Sequence, residues 1–292
     1  MTLLSSPQGT PERVWSLVAG LSALGGTAQR PTYEALLNPG FQRNGSEVSA
    51  KATLAADAHS AALSLNLIKS SRDQVSLSIA APKNFTGFAD LVHDLLLVDN
   101  DTNVDTAILE GFAWVVAESD HQGGLEWLYS IGRDDFADKI NAGLTGKEMN
   151  PTKAVAWRRW LAFLGLTVAM PIDSNAPDYP FPSTRIAREL QREEISPRTS
   201  MPAIDFLALI SRRMPYLDQG RLFKQACQRM GYAANSGRLS PLLSAALRDL
   251  HDNQTLRMIA SGDAAERIRL HEDATHPIDT FATVVIFPGD EV

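Results

Sequence analysis

A chain of 292 residues with 27 basic and 34 acidic side chains (net −7) is long enough to bury a sizeable core, and its 44% hydrophobic and 21% charged content excludes disordered, collagen-like and coiled-coil classes. Trp160 to Met170, the longest apolar stretch, is about half of a bilayer span, and Met1 to Pro7 lacks the basic start and long apolar core of a signal peptide. A soluble, cytoplasmic protein with no membrane partner is expected, and the single cysteine, Cys227, excludes an internal disulfide or a zinc site of several thiolates.

The first 83 residues carry five predicted elements. Thr10 caps a helix with Pro11 at its first position, and Val14, Trp15, Leu17, Val18, Leu21 and Leu24 recur at helical spacing until Gly25-Gly26. A short helix follows over Thr32 to Leu37, and Ser46 with Glu47 caps an alanine-rich helix running to Asn66. Leu67-Ile68, a polar turn over Lys69 to Gln74, and the alternation of Val75, Leu77 and Ile79 with serines predict a β-hairpin. Three helices and a hairpin is the order of a winged helix.

The middle of the chain predicts helices over Phe88 to Val98, Val104 to Ser119, Phe136 to Ala142 and Ala154 to Leu166. A Pro- and Asp-rich loop, Pro171 to Pro182, leads to Ser183-Thr184 as the cap of a helix over Arg185 to Glu194, whose Arg185, Arg188 and Arg192 share one side. The last region repeats the opening order. Helices are predicted over Pro202 to Met214, Gln219 to Met230 and from Ser240-Pro241 to Leu250. A hairpin then has Thr255 to Ile259 and Arg267 to Leu270 as its arms, and Phe281 to Phe287 is a separate strand. The fold class is therefore mostly α with small β-hairpins, with winged helix-turn-helix domains over 1–83 and 201–292 joined by a helical middle region, 84–200.

Charge changes sign along this map, with net +2 over residues 1–83, −10 over 84–152, +7 over 153–248 and −6 over 249–292. A modest total thus coexists with basic surface suited to phosphate. Lys51, Lys69, Arg72, Arg158, Arg159, Arg185, Arg188 and Arg192 are the candidate DNA-binding residues. The acidic helices between Phe88 and Ser119 are a candidate docking surface for a basic protein partner.

The search for reaction chemistry finds no complete signature, so no catalytic residue, metal or cofactor is expected. Gly143-Leu144-Thr145-Gly146-Lys147 is too short between its glycines for a phosphate loop and has Glu148 where a hydroxyl should hold magnesium. His271, Glu272, Asp273 and His276 match no metal-ligand spacing and read as a solvated turn. Cys227 shares an apolar face with Leu222 and Phe223 and reads as core. Trp157 and Trp160 flank Arg158 and Arg159; the period sends the rings to the core and the arginines to solvent or phosphate.

Three segments together carry a resemblance. Thr10-Pro11-x-Arg13-Val14, then Trp157-x-x-Trp160-Leu161-x-Phe163-Leu164-Gly165-Leu166 with its Pro-rich loop, and Leu239-Ser240-Pro241-x-Leu243-Ser244-x-Ala246-Leu247-x-x-Leu250 before a hairpin resemble the DpdG family. That family belongs to bacterial gene clusters that place 7-deazaguanine derivatives in DNA. The resemblance implies a place on the restriction side of such an antiviral defence system, acting with helicase-like and nuclease-like subunits on DNA that lacks the modification. It implies no catalytic residue. The expected function is a non-enzymatic DNA-binding or assembly subunit of that complex; the alternatives are a winged-helix transcriptional regulator, or a nuclease with an unrecognised site.

Overall fold

The computed structural model describes residues 3–37, 42–43, 46–47, 53–98, 104–145, 149–168, 178–193, 195–196, 198–260 and 267–287. Across them the protein is mostly helical with small antiparallel sheets. The first part of the chain runs through α1 (Pro11–Ala23), β1 (Thr27–Gln29), α2 (Arg30–Leu37), β2 (Gln42–Arg43), β3 (Ser46–Glu47), α3 (Thr53–Ser64), β4 (Ile68–Ser70), β5 (Gln74–Leu77) and α4 (Phe85–Leu97). Next come α5 (Ala107–Gln122), α6 (Trp127–Ser130), α7 (Arg133–Ile140), α8 (Pro151–Leu164), β6 (Thr167–Val168), β7 (Tyr179–Pro180) and α9 (Ser183–Arg192). The last part holds β8 (Ser200–Pro202), α10 (Ala203–Arg213), α11 (Arg221–Met230), α12 (Pro241–Asp252), β9 (Leu256–Ile259), β10 (Ile268–Arg269), β11 (Thr280–Phe281) and β12 (Thr283–Ile286). Contacts gather these into two units, Met1–Ile108 with Asn150–Leu164, and Leu109–Met149 with Gly165–Val292.

In the first unit α1 buries Val14, Leu17, Val18 and Leu21, and α3 offers the alanines Ala55, Ala58, Ala61 and Ala62. Small side chains let these two helices pack closely. Gly25 and Gly26, at φ +81° and +84°, end α1 in a left-handed turn that side chains with a Cβ disfavour. The sheet runs β1-β5-β4, with Ala28 opposite Val75 and Ile68 opposite Leu77, so the last strand lies in the middle. Asn84 caps α4 by accepting from the Gly87 amide at 2.7 Å. Trp15, Phe85, Phe88 and Phe163 then form an aromatic cluster with centroids 4.9–6.5 Å apart. Complete burial of a ring such as Phe88 contributes about 1.5–3 kcal/mol.

The second unit closes a core of Phe206, Ile210, Leu243, Leu247, Val284 and Ile286. Its three-stranded sheet runs β8-β12-β9, so here too the last strand is central. Ser240 caps α12: its hydroxyl oxygen accepts from the Leu243 amide at 3.3 Å, and Pro241 takes the first helical position.

Three expectations need correction. Ser46 and Glu47 do not cap a helix; they pair as β3 with β2, in the register Gln42 to Glu47 and Arg43 to Ser46, and α3 begins at Thr53. The sequence between these strands, Asn44-Gly45, is the dipeptide best suited to a two-residue hairpin, and it outweighs the capping signal. The C-terminal hairpin also has a different partner. β9 pairs with β12, Val284 facing Met258, whereas β10 pairs with β11. Leu256, Met258, Val284 and Ile286 are all buried and cover the core, which the two-residue β10 is too short to do. Finally, α9 starts at Ser183 with Pro182 in the cap position and no side-chain cap bond.

Candidate functional site

The predicted basic residues fall on separate elements. Lys69 lies in β4 opposite Ser76, and Arg72 lies in the turn before β5; both are exposed on one hairpin. Lys51 lies outside the described residues. On α8 the rings of Trp157 and Trp160 are buried, Trp157 donating from Nε1 to the Ile108 carbonyl at 3.0 Å. Arg158 on that helix is half-buried and Arg159 exposed, with a long 3.4 Å contact to the Pro7 carbonyl.

The arginines of α9 are divided by burial. Arg185 is completely buried and pairs with Glu189 at 2.7 Å. Glu189 also takes Arg192 at 2.8 Å and Arg213 of α10 at 3.3 Å, while Glu193 takes Arg213 at 2.5 Å and Arg212 at 3.3 Å. Glu189 joins Arg185 and Arg192, but Arg185 does not reach the surface. A charge this deep persists only with a partner, and Glu189 supplies it one helical turn away. Arg188 and Arg192 are half-buried.

The acidic helices are also partly turned inward. Asp105 is buried, accepting from the Leu3 amide at 2.7 Å and from the Ser64 hydroxyl; Glu110 is buried and accepts from the Thr145 amide at 3.2 Å. These two carboxylates hold local structure, so the exposed acidic face is smaller than the sequence implies. Asp99 and Asp101 lie outside the described residues.

One site with convergent polar groups was not legible in the sequence. A cavity of about 560 Å³ in the second unit is lined by Asp120 of α5, Asp218 before α11, Phe223, the 234–239 loop and β10. Both carboxylates are buried, Asp120 at 5% and Asp218 at 7% exposure. Asp218 accepts from the amide and the hydroxyl of Ser240, each at 2.6 Å, and burial, with the nearby Asp120 charge adding to it, pushes its carboxyl up to about 6. Asp120 Oδ2 accepts from the Tyr232 hydroxyl at 2.7 Å, whereas its Oδ1 has no hydrogen-bond partner among the described residues. Lys224, Arg238, Arg267 and Arg269 complete the lining.

Cys227 sits close to these acids, and burial together with their charge pushes its thiol up to about 11, so it stays protonated and is no nucleophile at neutral pH. His271, Glu272, Asp273 and His276 go separate ways: His276 pairs with Asp252 at 3.2 Å, Glu272 with Arg269 at 3.0 Å, and Asp273 accepts from Thr275. Among the described residues they form no set of converging metal ligands. Gly143 packs on Trp114, and Arg229 donates to its carbonyl at 2.6 Å, which anchors the start of the Gly143–Lys147 segment; residues 146–148 lie outside the described residues.

With this geometry in place, residues 1–264 match the family model described as DpdG-like. The chain belongs to the DpdG-like family. No curated protein and no solved structure matches it. Among the described residues of this DpdG-like chain, no helix is long and apolar enough to cross a membrane.

Proposed function

We propose that this chain is a cytoplasmic, non-enzymatic DNA-binding or assembly subunit of a restriction complex in the Dpd 7-deazaguanine system, working with helicase-like and nuclease-like subunits and carrying a winged helix near each end. Family membership supports the system. The observation that supports the DNA-contact reading is the β4–β5 hairpin that follows α3: β5 is central in the sheet β1-β5-β4, and the turn with exposed Lys69 and Arg72 is left as a wing tip, although the β2–β3 pair interrupts the helices between α2 and α3. Contacts from such a tip go to phosphates and add affinity without sequence preference. Arg158, Arg159, Arg188 and Arg192 are candidates for further phosphate contacts, whereas Arg185 is completely buried and cannot reach a duplex.

The test is fluorescence anisotropy with a duplex at several salt concentrations. Replacing Lys69 and Arg72 by Glu should weaken binding and reduce the slope of log K against log salt by about 2. An unchanged slope removes the wing from the DNA footprint, and then purification with neighbouring subunits decides the assembly role.

A further inference from the structure

We propose that the Asp120 cavity binds a guanine-type base carrying a phosphate, with Asp120 reading the donor edge of the base. The site stands apart from the wing contacts above, so its test needs neither duplex DNA nor other subunits. A cavity of about 560 Å³ falls within the span of small-molecule sites, roughly 300–1,000 Å³. Its floor asks for hydrogen-bond donors. Asp218 is already occupied by Ser240, but Asp120 is buried with Oδ1 unpartnered among the described residues and Oδ2 engaged by Tyr232 alone. An ionised carboxylate only accepts, and its two oxygens offer about four lone-pair sites. Leaving such a buried acceptor empty costs about 1–3 kcal/mol.

The rim selects the rest of the ligand. Lys224 and Arg267 are exposed, Arg238 is half-buried, and Arg269 is exposed but paired with Glu272, so cations line a mouth whose floor is acidic. A simple polyamine would satisfy the floor but be repelled at the rim, while a plain anion would meet the opposite conflict. A molecule with neutral donors at one end and a phosphate at the other satisfies both, and Arg is the side chain best matched to phosphate. Phe223, Leu239 and Ile268 supply apolar wall for a flat ring between them. Among the bases, guanine alone places two adjacent donors, N1–H and the 2-amino group, on its pairing edge. Adenine and cytosine set an acceptor beside their amino group, and thymine flanks its one N–H with carbonyls, so each would turn an acceptor toward Asp120.

Calorimetric titration of the full chain with GMP, IMP and AMP tests this directly, IMP being GMP without the 2-amino group. GMP should bind roughly 10- to 100-fold more tightly than IMP or AMP, the cost of an unsatisfied buried acceptor. Asp120→Asn should erase that preference while leaving binding of inorganic phosphate unchanged, and Lys224→Ala should weaken GMP and phosphate alike. Thermal melting establishes that each variant is folded; if Asp120→Asn does not fold, the GMP to IMP ratio of the unaltered chain decides alone. A short single strand carrying one guanine, compared with all-thymine, separates the two sources of the ligand. Tighter binding of the guanine strand than of GMP assigns the site to a base presented by a strand, and the reverse order assigns it to a free nucleotide; both support the site. Equal affinity for the three nucleotides, or no GMP binding below about 10 mM, overturns it.

Discussion

Both end regions carry a three-stranded antiparallel sheet whose last strand is central, but they join its strands differently. Near the N-terminus, β4 and β5 are joined by a three-residue turn, Ser71 to Asp73, and the hairpin tip with Arg72 is left to solvent. In the C-terminal region the corresponding strands, β9 and β12, are separated by a long excursion that contains β10 and β11. That excursion is tied back: Arg248 of α12 donates to the carbonyls of His271 at 2.8 Å and Ile278 at 3.0 Å, and Ser244 accepts from the His271 amide at 2.8 Å. The first arrangement leaves its tip exposed, and the second ties its excursion back so that β10 becomes wall of a cavity. Exposed ion pairs occur at both ends, Arg30 with Glu34 and Arg269 with Glu272, whereas the Arg185–Glu189 pair of α9 is buried.

Breaking the buried network should give the largest effect. Glu189→Ala removes the carboxylate that pairs with Arg185 at 2.7 Å in a completely buried position, and removing one member of such a pair costs about 3–5 kcal/mol. Urea denaturation of the full chain should show this as a fall in midpoint, whereas Glu34→Ala at the exposed pair should change stability by under about 1 kcal/mol. Equal losses at the two positions would erase the contrast.

Acidity should separate the regions next. The Asp218 carboxyl stands at about 6 in the folded chain against its ordinary 3.8, so between these values the folded state holds a proton that the unfolded state has released. Its contribution is therefore fully present below pH 3.8 and is lost as pH rises through about 6, a change on the order of 3 kcal/mol in total. Asp218→Asn keeps an acceptor for the Ser240 amide and removes the titration. Stability curves of the two proteins should converge at acid pH and separate between pH 4 and 7, with the Asn variant gaining; parallel curves would remove Asp218 as the source.

How much of this was legible follows the distance over which each signal acts. Local signals held in part: Pro11 and Pro241 do begin α1 and α12, whereas the capping signals at Ser46 and at Ser183-Thr184 gave way to other local structure. Which side of α9 faces inward was not local, because it depends on Arg213 of α10 meeting Glu189 and Glu193. The partner of β9 was misassigned for a related reason. Adjacency favours β10, but β12 carries the alternation that covers the core, and pairing across a long excursion leaves no mark in a short window. Asp120 and Asp218 sit far apart in sequence amid ordinary helix ends, so only the fold brings them to one cavity.

The smallest effect sharpens the comparison at the helix starts themselves. Thr10 and Ser240 look equivalent in sequence, each followed by proline at the first helical position. Their side chains do different things. Thr10 makes no cap hydrogen bond, so α1 begins through the preset φ of Pro11 and the packing of Val14 and Leu17. Ser240 accepts from the Leu243 amide and donates to Asp218, so the start of α12 is joined to the floor of the cavity. Ser240→Ala should therefore cost about 1–2 kcal/mol, the usual loss of a working cap with some added cost from the stranded Asp218 oxygen. Thr10→Ala should stay within about 0.5 kcal/mol, as for a substitution that removes no bond. Parallel thermal and urea melts of the two variants read the difference. A loss at Thr10 as large as that at Ser240 would mean that the two helix starts are held alike, and that the polar anchoring assigned to the C-terminal region is not what distinguishes it.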